Sequence, residues 1–121
     1  MKKTVIIGAT TNPGRYAYIA AQMLKSYQHE IVPVGLKEGK VFGHEILDIL
    51  EKPPVEGVDT VTLYIGPHRQ PEYYQYILNM KPKRIIFNPG TENPEFEKMA
   101  EAQGVEALQA CTLVMLRTGQ Y

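Results

Sequence analysis

The chain has 121 residues, of which 44% are hydrophobic and 21% charged, and its 13 basic residues balance 13 acidic ones. This length and composition predict one globular domain, 1–121. The balanced charge argues against nucleic acid or an anionic membrane as a partner, and no apolar run is long enough to span a bilayer. The single cysteine excludes an internal disulfide and a cysteine-based zinc site, and it favours a cytoplasmic location.

The first segment has the pattern of a strand, a tight loop and a helix. Val5, Ile6 and Ile7 form a continuous apolar run, which is typical of a strand buried in a parallel sheet. Gly8 ends this run, and a small polar loop continues to Gly14. A helix then follows, because apolar residues recur at helical spacing and predict its buried face: Tyr16, Ile19, Ala20, Met23, Leu24 and Tyr27.

Four further strands are predicted along the chain, at 30–34, 60–65, 84–87 and 105–108. Two segments fit more than one structure. The segment 41–50 fits either a short helix or a short extended piece, and 113–116 fits a short helix or a strand.

Two more helices have clear signals. The segment 71–80 is helical, with Tyr76 on its outer face and four residues facing inward: Tyr73, Tyr74, Ile77 and Leu78. In the next helix, Asn93 is a candidate N-cap, Pro94 takes the first helical position, and Gly104 closes the far end.

The alternation of strands and helices predicts an α/β fold. We expect one doubly wound, Rossmann-like domain with a five-stranded parallel sheet, strand order 3-2-1-4-5 and helices on both faces. In such a sheet the ligand lies outside the carboxyl ends of the strands, beside the first strand. The loops that follow the strands are therefore the candidate site.

The loop from Gly8 to Gly14 is suited to a phosphate group. Backbone N–H groups at a helix start lack helical partners, and the helix dipole adds partial positive charge. Thr10, Thr11 and Asn12 add polar side chains. The glycines match neither the G-x-G-x-x-G fingerprint nor a P-loop. A simple strand–helix connection, which needs only turn residues, is the alternative.

The end of the second strand distinguishes between nucleotide ligands. NAD-binding domains place an acidic residue there for the ribose 2′-OH, whereas this chain has Val34-Gly35-Leu36-Lys37. Lys37 and Lys40 instead suit a ribose with an additional phosphate, as in NADP or coenzyme A, or they are solvated loop lysines. Arg15 opposes the helix dipole, so either an anion lies near it or its side chain extends into solvent.

No catalytic or metal-binding set of residues is predicted. His68 follows the third predicted strand on the ligand side, but no carboxylate is placed to orient it. Cys111 precedes an apolar segment and is interpreted as a small packing residue rather than a nucleophile.

Three runs of residues stand out by their order along the chain: Gly8-Ala9-Thr10-Thr11-Asn12-Pro13-Gly14-Arg15, then Val32-Pro33-Val34, then Gly57-Val58-Asp59-Thr60-Val61. With these runs the chain resembles the stand-alone CoA-binding domain proteins, which are similar to the N-terminal CoA-binding domain of the succinyl-CoA synthetase α subunit. The resemblance covers about residues 3–116. It implies a Rossmann-like fold and a CoA ligand.

The resemblance also implies which residues contact CoA, and it covers four segments of the chain: Gly8, Ala9, Thr10, Thr11, Asn12, Gly14 and Arg15 at the pyrophosphate; Val34, Gly35 and Lys37 at the adenosine; Ile65, Gly66 and Pro67 beside the adenine and pantetheine; and Gly90 and Thr91 after the fourth strand. Family members commonly have Pro-Val-Asn-Pro where this chain has Pro33-Val34-Gly35-Leu36. The phosphorylated histidine of the synthetase lies in its second domain, so the resemblance does not imply ligase activity.

The leading hypothesis is therefore non-catalytic binding of coenzyme A or an acyl-CoA at the carboxyl edge of the sheet. One alternative is an NADP-dependent or other nucleotide-dependent enzyme that needs a partner chain. Another is an interaction module without a ligand. A protein partner or a homo-oligomer is compatible with each of these.

Overall fold

The computed structural model describes all residues 1–121. Thr4 and the apolar run 5–7 form the first strand, in which every residue is buried. The helices and strands follow in this order: β1 (Thr4–Ile7), α1 (Tyr16–Ser26), β2 (Ile31–Gly35), β3 (Lys40–Val41), β4 (His44–Glu45), β5 (Leu47–Asp48), β6 (Thr60–Leu63), α2 (Tyr74–Asn79), β7 (Arg84–Phe87), α3 (Pro94–Ala102), β8 (Glu106–Gln109) and α4 (Thr112–Arg117). Short 3-10 turns occupy Ile49–Glu51, Pro67–Arg69 and Pro71–Tyr73.

Six strands form one sheet in the order β5-β2-β1-β6-β7-β8, and every neighbouring pair is parallel. The predicted doubly wound α/β class is confirmed, but the predicted count of five strands is corrected to six. Counting β5 as the third strand gives the order 3-2-1-4-5-6. The strand at Thr60, predicted as the third, instead lies directly against β1. The two-residue strand β5 is too short to show a periodic pattern in the sequence.

Helices cover both faces of the sheet, and each face has its own hydrophobic cluster. In β1, Val5 and Ile7 belong to the cluster beneath α2 and α3, whereas Ile6 belongs to the cluster beneath α1 and α4. This alternation follows from the period of two along a strand. Because both faces of β1 are covered by helices, Val5, Ile6 and Ile7 are all apolar and do not alternate with polar residues.

The buried face of α1 differs from the predicted one. Tyr16 is 71% exposed and Tyr27 is 47% exposed, so both predictions are wrong. The helix packs through small residues and one leucine: Ala17, Ala20, Ala21 and Leu24. Tyr16 lies at the first helical position and Tyr27 at the C-cap, beyond the part of the helix that contacts the sheet.

The segment 71–80 begins as a 3-10 turn and becomes α2 only at Tyr74. The four residues predicted to face inward are buried. Tyr76, predicted on the outer face, is also buried, and its hydroxyl donates a hydrogen bond to the Pro53 carbonyl at 2.7 Å. The outward placement of Tyr76 is wrong because the loop before β6 covers this side of α2, and the helical pattern of α2 alone contains no sign of that loop.

The ambiguous segment 41–50 is mostly short extended pieces, and it ends in the 3-10 turn at Ile49–Glu51. It contains the second strand of an antiparallel hairpin, β3–β4, and then β5. Phe42 and Gly43 form the hairpin turn with φ of 49° and 86°, and the Phe42 ring packs 5.0 Å from that of Tyr18 on α1. The segment 113–116 belongs to helix α4. None of the helices has the length and apolar character needed to cross a membrane.

The start of α3 agrees with its sequence signals. The Asn93 side chain accepts a hydrogen bond from the Phe96 N–H at 3.2 Å, and Pro94 takes the first helical position. Glu97 accepts a hydrogen bond from the Asn93 N–H at 3.1 Å. This reciprocal arrangement resembles a capping box, except that the acid comes from the fourth helical residue instead of the third, and it satisfies two backbone donors at once. Gly104 follows the helix with φ of 80°.

Tyr76 is expected to make the protein sensitive to alkaline pH. Burial raises the pKa of Tyr76 to about 12, above its ordinary value of 10.0. Because the folded pKa is the higher one, this contribution to stability is complete below pH 10 and is lost as pH rises toward about 12. We expect the unfolding temperature to fall over this range, and to fall less in Tyr76→Phe. Identical declines in the two proteins would contradict this role of Tyr76.

Candidate functional site

A cleft of about 410 Å³ lies at the carboxyl edge of the sheet. Residues that follow β1, β2, β6 and β7 line it. The helices after β1 and β6 leave toward opposite faces of the sheet, so the cleft occupies the topological switch point where ligands of doubly wound folds bind. Most of the predicted site residues line this cleft: Gly8, Ala9, Thr10, Asn12, Arg15, Gly35, Lys37, Ile65, Gly66, Gly90 and Thr91.

Four predicted site residues do not line the cleft. Thr11, Gly14 and Pro67 are exposed at the surface nearby, and Val34 is completely buried within the sheet. Eight residues that were not predicted as ligand contacts also line the cleft: Tyr16, Ala17, Leu36, Ile49, Tyr64, Arg69, Tyr73 and Pro89. Their positions depend on side-chain direction and on the turns before α2, which carry little signal in the sequence.

The charged residues that line this first cleft all have the same sign. Arg15, Lys37 and Arg69 line it, and no aspartate or glutamate does. The two ion pairs of the protein, Lys3–Glu30 and Lys83–Asp59, involve none of these three cations. In a chain with balanced charge, this local excess favours an anionic ligand with more than one charged group.

Several N–H groups of the loop after β1 donate hydrogen bonds within the protein. Gly8 and Ala9 both donate to the Val34 carbonyl, at 2.9 and 3.0 Å, and Gly14 donates to the Asn12 side chain at 2.9 Å. These groups therefore brace the loop rather than face a ligand. Among the cleft residues of this loop and of the start of α1, the N–H groups of Thr10, Tyr16 and Ala17 have no partner within the protein.

The two longest helices begin in opposite ways. Arg15 is the N-cap of α1 and makes no side-chain capping bond, and the first turn has no acidic residue. At the start of α3, by contrast, the Asn93 side chain caps a free N–H group, and two acidic residues in the first turn lie near the positive end of the helix dipole. Because an anion near a helix N-terminus is stabilised by the dipole, the start of α1 is suited to an anion and that of α3 is not.

Glycines allow the loop after β1 to pack against the end of β2. A Cβ at Gly35 would lie 2.5 Å from the Ala9 carbonyl oxygen, and Gly8 has φ of 99°. Gly14 has no such requirement, because a Cβ there would meet only the Asn12 side-chain oxygen at 3.3 Å. The close approach is thus at Gly35.

Of the potentially reactive side chains Tyr64, His68 and Cys111, the cleft lining includes only Tyr64. Burial raises the pKa of Tyr64 to about 12, so the phenol stays neutral near pH 7. His68 is exposed, and its ring lies against Gly66 outside the cleft lining. Cys111 is half-buried and does not line the cleft either. No group of three His, Cys, Asp or Glu side chains could hold a metal ion.

A second cleft of about 420 Å³ lies beside the first. The segment from Gly35 to Lys40 lines it, together with Glu45, Ile46 and Asp48. Gly35, Leu36 and Lys37 line both clefts. Together the two clefts form an extended surface across the ends of β1, β2 and β6, with Lys37 at their junction.

Solved structures with the same fold support the topology. One, described as an uncharacterized protein, is 56% identical with a TM-score of 0.97, and the match covers 100% of this chain and 98% of the other. A Thermus thermophilus protein is 22% identical with a TM-score of 0.85, over 99% of this chain and 90% of the other. A hypothetical protein from Pyrococcus horikoshii OT3 is 24% identical with a TM-score of 0.84, over 97% and 82%.

The matches to the Thermus thermophilus and Pyrococcus horikoshii proteins are below 25% identity, so they show the fold alone. The comparison with curated proteins gave no match. The family model described as a CoA binding domain matches residues 2–117, which is nearly the whole chain. The chain therefore belongs to the CoA-binding domain family.

Proposed function

We propose that residues 1–121 act as one domain that binds coenzyme A or an acyl-CoA in the cleft, without catalysing a reaction on it. Family membership supports CoA binding in general. The observation that carries the proposal is the charge of the cleft, which has three cations and no carboxylate. Coenzyme A has phosphate groups at two places, the pyrophosphate and the ribose 3′-phosphate, and so needs several cationic contacts.

The start of α1 is the proposed place for the pyrophosphate. Arg15 and the free N–H groups of Thr10, Tyr16 and Ala17 lie together at the cleft. An arginine can donate parallel hydrogen bonds to phosphate oxygens, and these charge-assisted bonds are stronger than neutral ones. An anion here would also neutralise the unfavourable position of Arg15 at the positive end of the helix dipole.

The end of β2 is the proposed place for the adenosine and its 3′-phosphate. Lys37 lies where the two clefts meet, so its ammonium group can reach a phosphate on the ribose. The second cleft leaves room beyond it for the base. The pantetheine would then extend past Ile65 and Gly66 toward Gly90 and Thr91, which line the other side of the first cleft.

A non-catalytic role is supported by the chemistry of the lining residues. A general base should have a pKa near the working pH, whereas burial raises the pKa of Tyr64 to about 12. The side chains of His68 and Cys111 lie outside the lining. The cleft thus combines groups that hold anions with none arranged as a nucleophile and its base.

A thermal-shift panel tests the proposal with CoA, acetyl-CoA, dephospho-CoA, NADP and NAD. A ligand that binds only the folded state raises the unfolding temperature. We expect CoA and acetyl-CoA to give the largest shifts, dephospho-CoA a smaller one and NAD the smallest. Stabilisation by NADP without stabilisation by CoA would overturn the proposal and favour a nucleotide-dependent enzyme.

Lys37→Ala is expected to weaken CoA binding while barely changing the affinity for dephospho-CoA, which lacks the 3′-phosphate. A hydrogen bond to a charged group contributes about 1.5–3 kcal/mol, and about 1.4 kcal/mol corresponds to tenfold in affinity. Titration calorimetry with both ligands measures the difference. Lys98→Ala, at an exposed lysine on α3, is the control. Equal weakening of both ligands, or of neither, would contradict the assignment of Lys37 to the 3′-phosphate.

A further inference from the structure

Gln70 joins two segments of the cleft wall. It lies between the 3-10 turns that precede α2 and is completely buried, yet it is not among the residues that line the cleft. Its Nε2 group donates hydrogen bonds to the Ile65 carbonyl at 3.0 Å and to the Thr91 carbonyl at 2.9 Å. Ile65 and Thr91 both line the cleft, after β6 and β7 respectively.

The ladder between β6 and β7 ends before these segments begin. Its last pair is Leu63 with Phe87, so the backbones of Ile65 and Thr91 are not paired by the sheet. The hydrogen bonds of the protein include no direct bond between these two residues, and Gln70 is the side chain that bonds to both. Without it, the Ile65 and Thr91 backbones would be linked only by packing and indirectly through Asn88, whose Nδ2 donates to the Leu63 carbonyl and whose own carbonyl accepts from Thr91.

The orientation of the Gln70 amide is fixed by its neighbours. Two carbonyl oxygens can only accept, so the NH₂ group must face them. The amide oxygen accepts a hydrogen bond from Asn93 Nδ2 at 2.9 Å. Asn93 is held in turn because its own oxygen accepts from the Phe96 N–H and its Nδ2 also donates to the Tyr74 hydroxyl at 2.8 Å. The network therefore runs from the cleft wall to the cap of α3.

We propose that Gln70 is a positioning residue, which sets the affinity of the cleft for CoA by holding the Ile65 and Thr91 segments at a fixed spacing without touching the ligand. This inference rests on the proposed function for its ligand, whereas its structural part can be measured without one. In metal sites, substitution of a residue that holds the ligands from behind typically lowers affinity by roughly 10- to 100-fold. We apply the same reasoning to a preorganised cleft.

Gln70→Met tests this inference, because methionine has a similar shape and cannot donate the two hydrogen bonds. We expect CoA affinity to fall roughly tenfold in calorimetry at a temperature where the variant is folded. Val58→Ala is the control for stability. Val58 is buried before β6, at the opposite edge of the sheet, so this variant should unfold at a lower temperature and keep its CoA affinity.

Amide hydrogen exchange provides a readout without ligand. The Arg69 N–H donates to the Gly66 carbonyl and the Thr91 N–H to the Asn88 carbonyl, so both report on the wall segments. In Gln70→Met these two amides should exchange faster relative to those of β6 and β7, and in Val58→Ala they should not. Asn93→Ser keeps a good helix cap but removes the donor to Gln70, and it should change affinity and exchange in the same direction by a smaller amount.

Each outcome decides the role of Gln70. Unchanged exchange at Arg69 and Thr91 would overturn it, and so would faster exchange with unchanged CoA affinity. An equal loss of affinity in Val58→Ala would show that binding simply follows stability. If the wild-type protein does not bind CoA, the proposed function fails, and the exchange rates still decide whether Gln70 holds the two wall segments.

Discussion

Replacing Arg15 with alanine is expected to weaken the binding of CoA and dephospho-CoA alike, by roughly tenfold or more. Both ligands contain the pyrophosphate, which we place at the start of α1. Arg15 is the exposed N-cap of this helix, it makes no capping bond, and no acidic residue lies in the first turn. Loss of one charge-assisted hydrogen bond of about 1.5–3 kcal/mol accounts for the expected factor, since about 1.4 kcal/mol is tenfold.

The effect of Arg15→Ala on stability separates a lost contact from a damaged fold. A cation at a helix N-terminus opposes the dipole, so its removal should leave the unfolding temperature unchanged or slightly higher. Arg117→Ala, at an exposed arginine in the last turn of α4, is the control for loss of an arginine elsewhere. Unchanged affinity in Arg15→Ala would contradict the pyrophosphate assignment. Loss of CoA binding alone would place Arg15 at the 3′-phosphate instead.

Replacing Gly35 with alanine is expected to lower the free energy of unfolding by roughly 1–3 kcal/mol, the usual cost of forcing extra atoms into a packed site. The new Cβ would lie 2.5 Å from the Ala9 carbonyl oxygen and 3.2 Å from the Ala9 nitrogen. Both are backbone atoms, so no side-chain rotation can relieve the contact. The Ala9 N–H also donates to the Val34 carbonyl at 3.0 Å, and a shift of the loop would stretch that bond.

Gly14→Ala is the matched control for Gly35→Ala, because both substitutions add one methyl group near the same loop. Gly14 does not have a positive φ, and its Cβ would meet only a side-chain oxygen at 3.3 Å. We expect urea unfolding to show little change for Gly14→Ala and a clear loss for Gly35→Ala. Equal losses would contradict the view that the close approach of the loop to β2 is the critical contact.

The sequence is most informative about the fold where a pattern repeats or a cap is explicit. Val5 to Ile7 reads as a buried parallel strand because both faces of the sheet are covered, and Asn93 with Pro94 marks the start of α3. The two-residue strand β5 shows no such pattern, and its omission misplaced the third strand. Tyr16 and Tyr76 fit a helical period, but neighbouring loops and helix ends decide whether each is exposed.

The sequence predicts the loops that line the site, but it does not predict the residues that hold those loops in place. The loops could be found because the carboxyl ends of parallel strands meet at one edge of the sheet. Arg69 reaches the cleft and Gln70 lies behind it because two 3-10 turns direct the chain before α2, whereas Tyr64 reaches the cleft directly from the end of β6. A buried glutamine in a polar turn has the same sequence signature as an exposed one, and only the hydrogen-bond network distinguishes them.

Titration calorimetry of the wild-type protein with CoA, followed by dephospho-CoA and NADP, tests the central claim most directly. We expect saturable binding of CoA and weaker or no binding of NADP. Dephospho-CoA should bind more weakly than CoA because it lacks the 3′-phosphate that we assign to Lys37. No heat of binding at millimolar CoA, with clear binding of NADP, would contradict the account.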